Sequence, residues 1–220
     1  MEQYLIHTCT KRLWYVKQYL IPSMKKQGIT DKEIRMYVDT DGDGLLTSYI
    51  KSYDFTEDKD TWHLQDDIII SSHFKEQAEK RRTQTVVCGF CNSFSTGYPG
   101  YVNVYSMWYS MPCIKIPGII FKEFIQWINK AEVRKRLAPY FEGNKYIDVF
   151  FEIFLKETYP RMSVWNVAPN MVNHIDHLIG GSLANKDRSK GIKDIMATYW
   201  DEPELIENIE HEFKKYQISH

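Results

Sequence analysis

Two adjacent aspartates, Asp66 and Asp67, lie between two short apolar runs in the segment WHLQDDIII of residues 62–70. An apolar run of this length is typical of a buried strand, so the acids fall at a predicted strand end. Two neighbouring carboxylates repel each other at neutral pH unless a cation or a shared proton joins them. The segment therefore predicts a divalent metal site, and next a substrate whose phosphates bind through that metal.

Strand and helix patterns alternate through the first ninety residues, which predicts an α/β fold with a mostly parallel central sheet. Strands are predicted at residues 3–9, 34–38, 62–64 and 85–90, and helices from residue 11 to Gly28 with a kink at Pro22, at 45–53, and at 73–82 with a cap from Ser71 or Ser72. Ligands bind such sheets beyond the carboxyl ends of the strands. His7 and Thr8, Asp39, and the acid pair are therefore expected to meet along one edge.

The second half of the chain is predicted to complete one domain over residues 1–185. Helical spacing marks residues 119–130 and 145–159, a late strand covers 163–167, and residues 91–117 look like an irregular aromatic excursion. A C-terminal extension of two polar helices is expected over residues 186–220.

The overall composition excludes some classes of protein. The 28 Lys and Arg residues balance 29 Asp and Glu residues, whereas a protein that coats a polyanion would be strongly basic. No signal-peptide pattern opens the chain, and every apolar run is shorter than the ~20 residues of a membrane span. A cytoplasmic protein is expected. Cys88 and Cys91 form a Cys-x-x-Cys without a second pair, which favours buried thiols over a zinc site.

The sequence DTDGDG at residues 39–44 matches the first half of a calcium-binding EF-hand loop. The twelfth position of such a loop needs a bidentate Glu, but here it is Ile50. The residues before Asp39 also look like a strand rather than a helix. An acidic turn or a loop that faces a nucleotide is the preferred interpretation.

Two further groups of residues suggest a site. His174, Asp176 and His177 lie close together in the chain and precede Gly180-Gly181-Ser182, where backbone N–H groups could bind phosphate. Asp148 lies near the start of a predicted helix and could act as a general base on a hydroxyl acceptor, or simply supply favourable charge at the helix N-terminus.

Taken together, these motifs resemble nucleotide-sugar glycosyltransferases of the GT-A type. The likeness is to the small transferases of phages and prophages, and to the lipopolysaccharide and procollagen sugar transferases with a Glu-Asp-Asp motif. It rests on the following pieces, which span residues 3 to about 185: Thr8 and Arg12 after the first strand, Asp39, the Leu64-Gln65-Asp66-Asp67-Ile68 segment with Ser71 and Phe74, and the stretch from Pro169 through Asn173 and His174 to Ser182.

The resemblance implies a single GT-A-like (Rossmann-like) domain that transfers a sugar from a nucleotide diphosphate-sugar, with UDP-sugar the expected donor. It implies that Asp67 binds Mn²⁺ or Mg²⁺, that Asp66 contacts the metal or the ribose and sugar of the donor, and that His174 completes the metal shell or contacts the diphosphate. It assigns the donor to Thr8, Arg12, Asp39, Gln65, Asp66 and Ser182, with Asp148 as the base if the reaction inverts the anomeric centre. Gln65 departs from the family pattern because many relatives carry an acid there, which removes one negative charge.

Several alternatives stay open. The acceptor could be a glycan, a protein or a modified DNA base, and the basic residues Lys130, Arg134, Lys135 and Arg136 could contact phosphates if it is DNA. Their other interpretation is a solvated helix face. A calcium-binding protein built on residues 39–44 is a further alternative, as is a metallohydrolase that uses Asp66, Asp67, His174 and His177.

Overall fold

A computed structural model describes residues 2–81, 85–90, 100–103, 111–140, 147–167 and 170–175. The strands are β1 (Gln3–Cys9), β2 (Ile34–Asp39), β3 (Thr61–Gln65), β4 (Ile68–Ile70), β5 (Val87–Cys88), β6 (Gly100–Asn103), β7 (Cys113–Ile116), β8 (Ser163–Asn166) and β9 (Val172–His174). The α-helices are α1 (Leu13–Tyr15), α2 (Ile21–Lys26), α3 (Leu45–Lys51), α4 (Phe74–Glu79), α5 (Gly118–Ile128), α6 (Ala131–Leu137) and α7 (Ile147–Thr158). Short 3-10 turns cover Thr10–Arg12, Ser52–Phe55 and Ala138–Tyr140, and a π turn covers Val16–Leu20.

Seven strands form one sheet in the order β2-β1-β3-β7-β5-β8-β6. Neighbours β2, β1 and β3 are parallel, as are β5 and β8, while β7 and the edge strand β6 run the opposite way. All strands but β6 and β7 therefore share one direction, and the predicted α/β fold with a mostly parallel sheet is confirmed. The carboxyl ends of β1, β2 and β3 lie at the same edge, with Cys9 beside Asp39 and His7 beside Gln65.

Helices cover both faces of the sheet. On one face, Tyr4, Ile6, Trp62 and Leu64 pack with side chains from the helices around α1, α2 and α4. On the other, Ile114 and Ile116 join residues of α3, α5 and α7, among them Tyr49, Phe121, Phe124, Phe150 and Phe154. Because helices cover both faces, the central strands β1, β3 and β7 are buried at nearly every position, and this includes polar residues such as His7, His63 and Lys115.

The acid pair is followed by a second, small ladder. Ile68–Ile70 forms β4, which pairs antiparallel with β9, so that Ile68 lies opposite His174. The phenol of Tyr15 donates a hydrogen bond of 2.7 Å to the carbonyl of Ile68 and fixes this ladder against the first helical stretch. The ladder brings a late segment of the chain to the end of β3.

Two local predictions are wrong. The expected irregular excursion over residues 91–117 contains the central strand β7, which was missed because Lys115 interrupts its apolar pattern. Lys115 is nevertheless buried, with its Nζ 3.7 Å from a carboxylate oxygen of Glu2. The predicted cap of α4 by Ser71 or Ser72 does not match the structure, because the cap position is His73, whose side chain makes no capping hydrogen bond. Gln27 supplies an acceptor instead, through Oε1 at 3.0 Å from the backbone nitrogen of Lys75.

Other elements agree with the sequence pattern more closely. The first helical stretch runs on through the π turn, and Pro22 is the second residue of α2, directly after that turn. A proline inside a continuous helix removes one backbone hydrogen bond, and a π turn is one of the irregularities that accompany such a site. Gly28 has a φ of 78° and follows the helix end as predicted. The strand predicted over residues 85–90 is regular only at Val87–Cys88. The predicted C-terminal extension, residues 186–220, lies outside the described residues. No helix in the described part of the chain is long and apolar enough to cross a membrane.

Candidate active site

The site forms where three strands end. Thr8 is the next-to-last residue of β1, and Arg12 follows in the 3-10 turn. Asp66 and Asp67 come directly after the neighbouring strand β3. The β4–β9 ladder adds His174. We call Arg12, Asp66, Asp67 and His174 the acid cluster.

Asp66 is bound to the end of β1. Its Oδ2 accepts a hydrogen bond of 2.9 Å from the Thr8 hydroxyl and one of 3.3 Å from the backbone N–H of Cys9. Its Oδ1 lies 2.7 Å from Nη1 of Arg12. Both oxygens are therefore already engaged by protein donors.

Asp67 points the other way, towards β9. Its Oδ2 lies 2.8 Å from the same Nη1 of Arg12, so one guanidinium nitrogen bridges the two acids. Its Oδ1 lies 3.2 Å from Nε2 of His174 and receives no well-aligned hydrogen bond from the described residues. The backbone carbonyl of Asp67 accepts the N–H of Ile175, which holds β9 in register.

The cluster is nearly closed to solvent, and its surroundings shift the pKa values of the two acids in opposite directions. Burial raises the pKa of Asp66, and the nearby Arg12 offsets this only in part. Burial also acts on Asp67, but the charges of His174 and Arg12 prevail and lower its pKa well below the ordinary value. Burial works against the charge of Arg12, yet Asp67 and Asp66 outweigh it and raise the pKa of the guanidinium. Two carboxylates against one guanidinium leave an excess negative charge when His174 is neutral.

The facing atoms of Asp67 and His174, Oδ1 and Nε2, fit a divalent cation. A carboxylate oxygen and an imidazole nitrogen suit Mn²⁺, and neighbouring ligands in an octahedral shell with bonds near 2.1 Å lie about 3 Å apart, close to the separation found here. No group of three or more His, Cys, Asp or Glu side chains is placed to hold a metal within the described residues. A cation at this site would therefore take two protein ligands and the rest from water or a bound phosphate.

Asp39 has a role that the sequence did not predict. Its carboxylate accepts the backbone N–H groups of the four residues that follow Thr40, at 2.9–3.2 Å, and the hydroxyl of Ser48 lies 3.4 Å away. Burial alone would raise the pKa of Asp39, but these N–H groups lower it. The Nζ of Lys51 pairs with Asp43 in the same turn. The carboxylates of residues 39–44 are thus bound within the loop, which argues against a calcium site there.

Asp148 lies in the first turn of α7, where its Oδ1 accepts the N–H of Val149 at 3.1 Å. The pKa of the Tyr49 phenol is raised by burial first, and also by the charges of Cys113, Asp148 and Asp67. Asp148 and Asp67 therefore both lie within electrostatic range of Tyr49. The role of Asp148 as a base stays a prediction.

The remaining predicted residues divide into two groups. Gln65 is half-buried at the end of β3, and its backbone N–H bonds to the carbonyl of Pro112. Ser182, Asp176 and His177 lie outside the described residues, as does Cys91. Cys88 and Cys113 are buried thiols that are not in a disulfide, and the burial of Cys88 agrees with the prediction.

Sequence reasoning missed a second polar group beneath the same strand ends. His7 Nε2 and His63 Nδ1 lie 3.0 Å apart in the core, and the His7 ring stacks on Tyr49 with centroids 3.9 Å apart. Burial lowers the pKa of His63 to about 3, and burial followed by the charge of His63 lowers that of His7. The signal available in the sequence was a histidine inside each of two apolar strands. We call His7 and His63 the histidine pair.

No protein-family model matches the sequence, and no curated protein is similar to it. Solved structures do match, and they include the following three. A putative glucose-1-phosphate thymidylyltransferase from Bacillus anthracis, in complex with a sucrose, is 11% identical with a TM-score of 0.43, covering 76% of this chain and 86% of its own. The CTP:phosphocholine cytidylyltransferase LicC from Streptococcus pneumoniae is 13% identical with a TM-score of 0.44, covering 79% and 93%.

The third is A197 from STIV, which is 13% identical with a TM-score of 0.42, covering 79% of this chain and 85% of its own. All three likenesses are low in both identity and TM-score. They therefore leave the activity of this chain to be argued from its own site residues.

Proposed function

We propose that this chain is a metal-dependent glycosyltransferase that moves a sugar from a nucleotide diphosphate-sugar, most simply a UDP-sugar, to a hydroxyl acceptor. The observation that carries the proposal is the acid cluster at the carboxyl edge of the parallel strands. That edge is where ligands bind in open α/β sheets. A carboxylate oxygen paired with an imidazole nitrogen suits a cation that a diphosphate would share.

In this reaction the bond between the anomeric carbon and the diphosphate oxygen breaks, and a bond to the acceptor oxygen forms. Asp67 and His174 would hold Mn²⁺ or Mg²⁺, which offsets the negative charge that grows on the leaving diphosphate. Thr8 and Arg12 orient Asp66 and Asp67 from the end of β1. Asp148 would take the proton of the acceptor hydroxyl if the reaction inverts the anomeric centre.

The test is a screen of thermal stability against nucleoside diphosphates, nucleotide sugars and nucleoside triphosphates, each with and without Mn²⁺, followed by a transfer assay with the donor found. A ligand that binds only the native state raises the melting temperature. We expect a rise that needs both Mn²⁺ and one nucleoside diphosphate. A rise with a triphosphate and release of pyrophosphate would instead indicate nucleotidyl transfer, as in the thymidylyl- and cytidylyltransferases named above.

Asp67→Asn is the decisive variant because it keeps the shape of the side chain and removes the charge. We expect transfer to fall by about 100-fold or more, the scale of losing one electrostatic contact to a developing anion. Asp31→Asn is the matched control, since Asp31 is largely exposed and pairs only with Lys25 among the interactions seen. An Asp67→Asn enzyme as active as Asp31→Asn would refute the proposal.

A DNA acceptor receives less support from the described residues. The basic run on α6 is partly neutralised, because Arg136 forms an ion pair of 2.7 Å with Glu157. Arg134 donates a hydrogen bond of 2.7 Å to the side chain of Asn129. Binding to duplex DNA that weakens steeply with salt would restore this acceptor as the leading one.

A further inference from the structure

The acid pair offers four carboxylate oxygens, and three of them are already bound by donors of this chain. Arg12 holds one oxygen of each acid through a single nitrogen, at 2.7 and 2.8 Å. Thr8 and the backbone N–H of Cys9 hold the second oxygen of Asp66. The remaining one, Asp67 Oδ1, faces His174.

We propose that Arg12 is a positioning residue that keeps Asp66 out of the metal shell and confines a divalent cation to Asp67 and His174. This inference rests on the proposed function for its metal. Its consequence is that the cation alone binds weakly, because two protein ligands replace only a small part of its water shell. A nucleoside diphosphate would add the missing oxygens, so metal and donor bind together.

The geometry explains why Arg12 has this effect. Its guanidinium lies between the two carboxylates, which is where a cation shared by both acids would have to sit. Its positive charge also repels a second cation at close range. The side chain is only 14% exposed and bridges both acids, so moving it away would leave buried carboxylates without a partner.

The test measures binding of Mn²⁺ alone, from the electron paramagnetic resonance signal of the free ion, to the wild-type protein and to Arg12→Gln. Lys11→Gln is the matched control because it removes the same charge from the exposed neighbouring residue. We expect Arg12→Gln to bind Mn²⁺ about tenfold more tightly than wild type, since it loses one nearby positive charge and frees two carboxylate oxygens. Lys11→Gln should bind like wild type.

Two further variants distinguish the proposed effect from loss of folding and from binding at an unrelated metal site. Arg12→Lys keeps the charge but not the flat, branched donor group, and it should bind Mn²⁺ with intermediate affinity. Adding His174→Gln to Arg12→Gln should weaken the binding again. Circular dichroism establishes that each variant is folded at the temperature of the measurement.

The inference is overturned if folded Arg12→Gln binds Mn²⁺ no more tightly than wild type, or if Lys11→Gln has the same effect. A separate arm repeats the wild-type titration with UDP present. If UDP leaves the Mn²⁺ affinity unchanged while Arg12→Gln still strengthens it, the role of Arg12 stands and the nucleotide-dependent function fails.

Discussion

The histidine pair lies within β1 and β3, and the acid cluster lies beyond the carboxyl ends of the same two strands, where β9 adds His174. The two groups solve the problem of buried polar groups in opposite ways. Neighbouring residues of a strand point to opposite faces, so Thr8 contacts Asp66 while His7 faces His63 and Tyr49. The acid cluster keeps its charges and compensates them with Arg12. The histidine pair stays neutral, and His7 Nδ1 and His63 Nε2 have no hydrogen-bond partner among the described residues.

This difference distinguishes a candidate binding site from ordinary packing in the core. Buried charges are costly and persist where another charge meets them, whereas a neutral polar pair can be part of ordinary packing. Substitutions in the acid cluster should therefore lower stability near pH 7, because they leave a buried charge uncompensated. The histidine pair should matter mainly when the solution is acidified.

The largest effect on stability is expected for Arg12→Gln. Removing one partner of a buried charged group leaves the other uncompensated, which costs about 3–5 kcal/mol. Urea unfolding at pH 7 measures the change in the free energy of unfolding, with Lys11→Gln expected within about 0.5 kcal/mol of wild type. A cost for Arg12→Gln as small as that of the control would show that the cluster is well hydrated.

Acidification is the sharper test of the histidine pair. The folded-state pKa values of His7 and His63 lie below the unfolded value near 6.5, so the unfolded state binds protons first as the pH falls. Stability is then fully present above about pH 6.5 and decreases below it, by about 2 kcal/mol at pH 5 for His63, with a further loss in the same direction from His7. The measurement is urea unfolding from pH 7.5 to 5.

The double variant His7→Leu/His63→Leu should remove this part of the pH dependence, because replacing both partners by apolar groups leaves no buried imidazole to protonate. His73→Gln is the control, since His73 is largely exposed. The raised pKa of Asp66 acts in the opposite sense at acid pH and is common to all three proteins. An unchanged slope in the double variant would contradict the assignment.

The smallest effect is expected at Asp39. Asp39→Ala removes the acceptor of four backbone N–H groups in the loop of residues 40–44, which should cost about 1–3 kcal/mol because the loop is partly solvated. Asp41→Ala, in the same loop but largely exposed, should stay within about 0.5 kcal/mol of wild type. Equal effects would mean that the loop is held by other contacts.

Sequence patterns predicted the parts of this fold that depend on local order along the chain. The strands that end at Cys9, Asp39 and Gln65 follow from apolar runs, and their shared edge follows from parallel pairing. The contact between Asp67 and His174 depends on the β4–β9 ladder. Periodicity does not predict which distant strands pair. The proximity of these two residues was therefore expected from the resemblance to a family and not from the apolar pattern.

Other features could not be read from the sequence because their partners are far apart in the chain. Gln27 supplies the acceptor at the start of α4, where a local serine was expected. The central strand β7 could not be predicted because it contains Lys115, a buried lysine whose partner Glu2 lies near the start of the chain. The bridging position of Arg12 depends on side-chain geometry, which spacing alone does not give.

We propose that the acid cluster binds a cation together with a nucleoside diphosphate. Isothermal titration of UDP into the wild-type protein and Asp67→Asn, each with and without Mn²⁺, measures this binding. We expect UDP to bind the wild-type protein only when Mn²⁺ is present and not to bind Asp67→Asn. Binding of equal strength without Mn²⁺, or in Asp67→Asn, would refute the joint site.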